Sequence, residues 1–414
     1  MNMNMNEIQA SSLEDFKKQL DGDNQIIKKD TPNQKVMQVK KNLVLSVQSD
    51  FAGCSHIRNI WWFSYINAVF GKSQSLNCIV APYFVSQNDL LIRAKTLWFQ
   101  RVTSPHHMSI IQQYKDNQAK LGYKMIYDID DYIWGRNETQ GGTKDDGVPS
   151  YNFGSKKLAQ ETKDCAIDTM NLMDLVTVSS DYLGEMLKHH GVTTPIKLLK
   201  NTVSQSFWGA PKRVHIKSKI KKPKIIWSGS PTHWSDSEKL LGDIDNAWLE
   251  FIIKNVKDNK IDFMQMGGTN INGKTKPPFF FEKIANYSNF HTIGWLNSYQ
   301  YHLPIQQYSA DFAIAPLVDN NFNRSKSDIK AIEAYASNSV FIGTKFKSGK
   351  PSPYDDSCLN IFDDCSVKDI TDMIDEYTEL ENYNRIIDKQ FDKMQNEGRY
   401  TESSKWVNQF TSLL

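Results

Sequence analysis

Residues Asp311–Glu333 read DFAIAPLVDNNFNRSKSDIKAIE. The first six are short and apolar and end on Pro316, the pattern of a buried strand that stops where proline removes an N–H. After the polar stretch LVDNNFNR, the spacing predicts a helix opening at Ser325. Ser325 or Ser327 is its expected cap, and Asp328 suits its positive end. At ~100° per residue, Lys326, Lys330 and Glu333 share one stripe, while Ile329, Ile332 and Ala336 form the neighbouring apolar one. Such a helix N-terminus with Lys326, helped by Arg324 or Lys330, makes a diphosphate site. Glu333, two turns deeper, is placed to accept hydrogen bonds from a ribose diol. The plainer alternative is a surface helix with an i, i+3 Lys–Glu pair. Its place after a strand end favours the ligand site.

The same strand-and-helix rhythm runs outward in both directions. Before the quoted stretch lie Leu43–Val47, Cys78–Tyr83, Leu97–Val102, Lys124–Asp128, Leu175–Ser179, Lys224–Ser228, Ile261–Met266 and Phe290–Ile293; after it come Ser339–Ile342 and Leu359–Phe362. Short apolar strands alternating with helical stretches mark parallel sheets covered on both faces. Between the two groups, Pro211–Lys224 (PKRVHIKSKIKKPK) has seven Lys and Arg and no acid, which reads as a linker. The expected organisation is an extension over 1–41, an α/β domain over 42–210, a basic linker over 211–223, a second α/β domain over 224–395 and a C-terminal helix over 396–414. In that last helix Trp406 and Phe410, spaced i, i+4, are expected to dock on a neighbour. Two doubly wound domains enclose a cleft, and ligands bind there beyond the carboxyl ends of the strands.

Composition narrows the function. The 414 residues carry 49 Lys+Arg against 47 Asp+Glu, a net charge of +2, so no overall field draws the chain to nucleic acid or membrane. No apolar run approaches the ~20 residues that span a bilayer, and the start MNMNMNEIQ lacks the regions of a signal peptide. Five cysteines with no CxxC argue against a disulfide scaffold. The expectation is a cytoplasmic protein. There is no Walker A, no G-x-S-x-G and no zinc spacing.

Three other blocks sit at predicted strand ends. In Ser49–Arg58 (SDFAGCSHIR), Gly53 lets backbone approach a ligand, and His56 and Arg58 are candidates to touch donor phosphate or acceptor. In Ile225–His233 (IIWSGSPTH), the Gly229-Ser230 turn offers amides to a phosphate, with His233 following. The third block, Tyr127–Trp134 (YDIDDYIW), concentrates Asp128, Asp130 and Asp131, whose mutual repulsion raises at least one carboxyl pKa unless a cation compensates. Arg101 is a candidate to offset that charge. The acids fit a divalent-ion site through Asp128 and Asp130, a general base for an acceptor hydroxyl, or a solvated turn.

These blocks, with Asp311–Glu333, resemble the GT-B glycosyltransferases, in particular the group with an E-x7-E element. Glu333 matches the second glutamate of that element; the first falls at Ser325, which is not acidic. The resemblance implies a GT-B fold, two Rossmann-like doubly wound domains facing across a cleft. It implies a nucleotide-diphosphate sugar, best a UDP-sugar, on the second domain, bound by Gly53, Gly229, Ser230, His233, Arg324, Lys326, Lys330 and Glu333. The acceptor side takes Asp128, Arg58 and Trp61, with Asp130, Asp131 and His56 as catalytic groups. GT-B enzymes generally hold the donor without a metal, so the resemblance implies no metal and no cofactor, and places the base or acceptor role of the acids ahead of the divalent-ion one. The blocks are also similar to glycosyltransferases of large tailed phages, some of which modify hydroxymethylcytosine in DNA. That likeness implies double-stranded DNA as acceptor, arabinose or glucose as the sugar and the host cytoplasm as the compartment. The basic linker would then neutralise phosphates, and Trp61 and Trp62 would stack on a flipped base. A glycan or protein acceptor, a nucleotide-sugar epimerase and a non-catalytic nucleotide-sugar-binding module are the alternatives.

Overall fold

The structure is a computed structural model and describes residues 43–48, 53–71, 76–81, 93–102, 105–132, 134, 156–229, 246–271 and 274–414. The expectations for residues 1–41, Ser230 and His233 lie outside these residues.

Two parallel sheets follow each other along the chain. The first contains β1 (Leu43–Gln48), β2 (Asn77–Ala81), β3 (Ala94–Gln100), β4 (Lys124–Ile129), β5 (Leu175–Val178) and β6 (Ile196–Leu198), in the order β2-β1-β3-β4-β5-β6. The second contains β7 (Lys224–Ser228), β8 (Asp262–Ile271), β9 (Lys274–Lys276), β10 (Phe290–Gly294), β11 (Phe312–Ala315), β12 (Val340–Lys345) and β13 (Leu359–Phe362). Its order is β10-β8-β7-β11-β12-β13, with β9 paired antiparallel to β8. Renumbered within the domain, that order is 3-2-1-4-5-6, the dinucleotide-fold winding with its switch point between β7 and β11. All six residues of β1 and all four of β5 are buried, as strands covered on both faces must be. The two strands that the sequence reading did not expect, β6 and β9, are three residues each, too short for a hydrophobic pattern.

The quoted stretch folds differently from expectation in one respect. The helix does not open at Ser325. A single turn, Asn321–Arg324, comes first, capped by Asn320, whose Oδ1 accepts from the Asn323 amide at 2.8 Å. The longer helix is Ile329–Ala336, with Asp328 at the cap position. Asp328 makes no side-chain cap because its carboxylate is held by Arg399. Ser325, Lys326 and Ser327 therefore bridge two helices.

Past the second sheet, the helix Leu380–Glu397 leads to a last helix, Ser404–Thr411, which packs on the first domain. Trp406 stacks on Phe410 at 5.2 Å and meets Trp62 at 4.9 Å, while Phe410 contacts Trp98 at 5.5 Å and Phe63 at 6.0 Å. All five rings are at most 2% exposed. The basic segment is also tied down. Arg213 pairs with Asp392 at 2.7 Å and Asp388 at 3.3 Å, His215 with Asp388 at 2.9 Å, Lys219 with Glu379, and Lys222 with Asp262 at 2.7 Å. The expected phosphate-neutralising segment is thus a strap beside the helix Leu380–Glu397, whose Asp388 and Asp392 answer Arg213 and His215.

Phe410→Ala empties the centre of the aromatic cluster and should cost about 3–5 kcal/mol, read as a lower urea midpoint of the whole chain. An unchanged midpoint would show that the last helix is not docked there.

Candidate functional site

The segment Ser325–Ser327 faces the first domain. Ser180 Oγ donates to the Ser325 carbonyl at 2.7 Å, Tyr182 Oη to Asn321 Oδ1 at 2.9 Å, and Asn201 Nδ2 to Ser327 Oγ at 2.8 Å. Ser325 is 0% exposed and Lys326 and Ser327 are each 9% exposed. An α-helix leaves its first N–H groups without intrahelical partners, so the start of Ile329–Ala336 brings oriented donors to an interdomain junction.

On the second-domain side, Lys330 and Glu333 are joined through a residue that the sequence reading missed. Lys330 Nζ donates to Tyr301 Oη at 2.6 Å and lies 3.0 Å from Glu333 Oε2. Tyr301 Oη in turn reaches Glu333 Oε2 at 3.1 Å and Ser228 Oγ, at the carboxyl end of β7, at 3.0 Å. Burial would lower the Lys330 pKa, but Glu333 and Tyr301 outweigh it and hold the ammonium charged. Burial, reinforced by Glu333, pushes the Tyr301 phenol up. Lys330 is committed to this network. The Lys326 ammonium sits 4.8 Å from the centroid of the Phe322 ring. Arg324, expected to contact the donor, is bound by Asp319 at 2.6 Å and Asn321 at 3.2 Å. The Gly229 amide, expected to face a phosphate, donates to the Met266 carbonyl at 3.1 Å because it continues the β7–β8 ladder.

On the first-domain side, the acidic cluster divides. Asp128 and Arg58 are each 0% exposed and form a bidentate ion pair, with Thr177 Oγ1 donating to Asp128 Oδ1 at 2.6 Å. Burial pushes the Asp128 carboxyl up, and Arg58 pulls against it. The expected acceptor contacts through Arg58 and Asp128 are corrected: both are enclosed, paired with each other and further bonded to Thr177, Leu199 and Asn201. The same pairing takes Asp128 out of the divalent-ion reading. Asp130 and Asp131 point elsewhere. Arg101 Nη1 lies 3.8 Å from Asp130 Oδ1, and Arg101 holds a left-handed backbone (φ 52°), a costly conformation for a side-chain-bearing residue that tends to mark functional sites. Asp131 is pushed up to about 6 by burial and by Asp130, while Arg101 and, from across the junction, Lys326 pull it down. Cys54 Sγ and carboxylate oxygens of Asp130 and Asp131 lie within 4.8 Å of one another, the one such group among the described residues. Burial and Asp130 push the Cys54 thiol well up.

Gly53 opens a helical turn, Gly53–Ser55, in place of the expected loop. A π-helical segment, His56–Ile60, follows and runs into the helix Trp61–Phe70. Such widened turns recur at functional sites. Here the turn sends Arg58 inward and His56 toward the second domain, edge-on to Tyr299 at 4.7 Å. Trp61, expected against the acceptor, is 8% exposed and packs on Phe207 at 5.2 Å.

Neither a protein-family model nor a curated protein matches the chain. Among solved structures it is similar to Anabaena HepE in complex with UDP and glucose, at TM-score 0.53 and 8% identity over 91% of this chain and 100% of that one. The HepE complex with UDP-glucose gives 0.52 and 7% over 89% and 99%. TarM gives 0.43 and 14% over 77% of this chain, and the chain spans 55% of TarM. At these identities the likeness establishes the fold, which is the two-domain α/β GT-B arrangement.

The raised Asp131 carboxyl has a consequence for stability. Between pH 3.8 and about 6 the folded chain keeps a proton that the unfolded chain has lost, so stability should fall as pH rises through that window. Asp131→Asn should flatten the decline in urea midpoint across it; an identical decline in the variant would contradict the assignment.

Proposed function

We propose that the chain is a glycosyltransferase that moves a sugar from a nucleotide-diphosphate donor, a UDP-sugar, to an acceptor hydroxyl. The observation that carries this reading is the meeting of two elements across the junction: Lys326 and the start of the helix Ile329–Ala336 on one side, Asp130 and Asp131 on the other. The UDP and UDP-glucose complexes of HepE, a protein of the same fold, support a UDP-sugar as donor.

In this reading the diphosphate lies on Lys326 and the first-turn amides, where the charge of the leaving group is stabilised as it develops. The ribose hydroxyls displace Tyr301 and donate to Glu333. An acceptor oxygen forms the new bond to the anomeric carbon as the bond to the diphosphate oxygen breaks, and the electron pair leaves on the diphosphate. The acceptor proton passes to the acids at Asp130 and Asp131, and the raised proton affinity of Asp131 suits a base working near neutral pH. His56, itself buried, lies between Trp61 and Tyr299, and in this reading it borders the acceptor. For hydroxymethylcytosine DNA as acceptor, the support is the sequence resemblance alone, since cations of the basic strap are paired to acids of the same chain.

Glu333→Ala and Lys326→Ala should each weaken UDP binding by about tenfold or more, measured by calorimetry. The exposed Lys260→Ala should leave it unchanged. Equal effects from all three would remove the donor site. In a UDP-release assay with hydroxymethylated DNA and glycan pools as acceptors, Asp130→Asn and Asp131→Asn should lower turnover by about a hundredfold while UDP affinity holds. UDP release that never depends on an acceptor would overturn the transfer reading.

A further inference from the structure

Arg58, Asp128 and Asn201 are buried polar groups that the proposed chemistry does not use, yet they form one continuous chain. It begins on β5, where Thr177 donates to Asp128, and Asp128 is paired with Arg58. Arg58 Nη1 donates to Asn201 Oδ1 at 3.0 Å and to the Leu199 carbonyl. Asn201 Nδ2 donates to Ser327 Oγ at 2.8 Å, which crosses to the second domain. The Asn201 carbonyl accepts from Arg399 Nε at 3.0 Å, and Arg399 holds the Asp328 carboxylate through both terminal nitrogens. Asn201 is 2% exposed, Arg58 0% and Arg399 1%. Around it the crossing chain is bridged to the C-terminal segment: the Val203 amide donates to the Arg399 carbonyl at 3.0 Å, and the Thr401 amide to the Val203 carbonyl at 3.0 Å.

Both ends of this chain adjoin the two halves of the site. Asp128 is the residue of β4 two positions before Asp130, and Ser327 and Asp328 directly follow Lys326 and precede the helix that carries Lys330 and Glu333. We infer that Asn201 is a positioning residue: its amide sets the register between the acid pair of the first domain and the phosphate-binding helix start of the second. This role rests on the transferase reading for its catalytic meaning, while the register itself is a property of the fold. A single carboxamide suits the task because it accepts from a cation on one side and donates to a hydroxyl on the other, and each buried partner left unmatched disfavours any other domain arrangement. Two packed domains joined this way behave as a hinge with one preferred setting, and a misplacement of about 1 Å at such a junction is enough to lower a rate about a hundredfold.

Asn201→Ala and Asn201→Asp separate register from mere stability. The aspartate can still accept from Arg58, and the Ser327 hydroxyl can turn to donate to it, so it should restore most of what alanine loses. Hydrogen exchange needs no substrate: Asn201→Ala should speed exchange by about tenfold or more at residues 326–333 and 128–131, and leave the β11 core at 312–315 unchanged. In turnover assays the same variant should lose kcat by about tenfold or more with UDP affinity within about twofold of the parent. Ser327→Ala, which removes only the crossing bond, should reproduce the effect in weaker form and serves if Asn201→Ala does not fold. Uniform acceleration of exchange with kcat unchanged, or an aspartate variant as impaired as alanine, would overturn the positioning role. Failure of the parent itself to bind UDP would count against the transferase reading, and the exchange pattern would still decide the register.

Discussion

An arginine and an aspartate taken wholly out of water must find each other, and the pairing of Arg58 with Asp128 meets that demand where the first sheet ends. Removing either partner would strand the other's charge at a cost of about 3–5 kcal/mol, so the pair is a fixed point from which neighbours take their positions. The π-helical turn at His56–Ile60 exists in the geometry that carries Arg58 inward. Asn201 is aligned by Arg58, and through Asn201 the second domain is aligned with the first. The acids left over, Asp130 and Asp131, are thereby placed at the junction, where Arg101 and, for Asp131, Lys326 offset their charge.

The second domain shows a complementary economy of charge. Lys330, Glu333, Tyr301 and Ser228 satisfy one another. A ligand that takes Glu333 Oε2 replaces the Tyr301 hydroxyl with a hydroxyl of its own, which a ribose can do and an apolar group cannot. Lys330 then remains beside Glu333 as its counter-charge. Arg324 is likewise held by Asp319. Two of the cations expected around a phosphate, Lys330 and Arg324, are thus engaged by acids of their own domain.

Much of the fold was legible because its strands are apolar, β-branched and spaced by helices. LVLSV, KIIWS and DFAIAP each announce a buried parallel strand, and the i, i+4 spacing of Trp406 and Phe410 announced a docked helix. The helix start was misread because Ser325 and Ser327 look like caps, while the competing partner of Asp328 is Arg399, seventy-one residues later in the chain. Long-range pairing of this kind leaves no periodicity. The same limit hid Tyr301 and Asn201, which have no motif around them, and it made Arg58 and Asp128 look like ligand-facing residues when they face each other. The partners of Arg213 and Lys219 in the lysine-rich strap were hidden in a similar way, because Asp392 and Glu379 sit more than a hundred residues downstream.

The most direct test of the account is a crystal structure of the chain with UDP. The diphosphate should lie against Lys326 and the first turn of Ile329–Ala336, the ribose hydroxyls on Glu333 with Tyr301 displaced, and Asp130 and Asp131 facing the open side of the β-phosphate. UDP bound elsewhere, with the Tyr301–Glu333–Lys330 network intact, would contradict it.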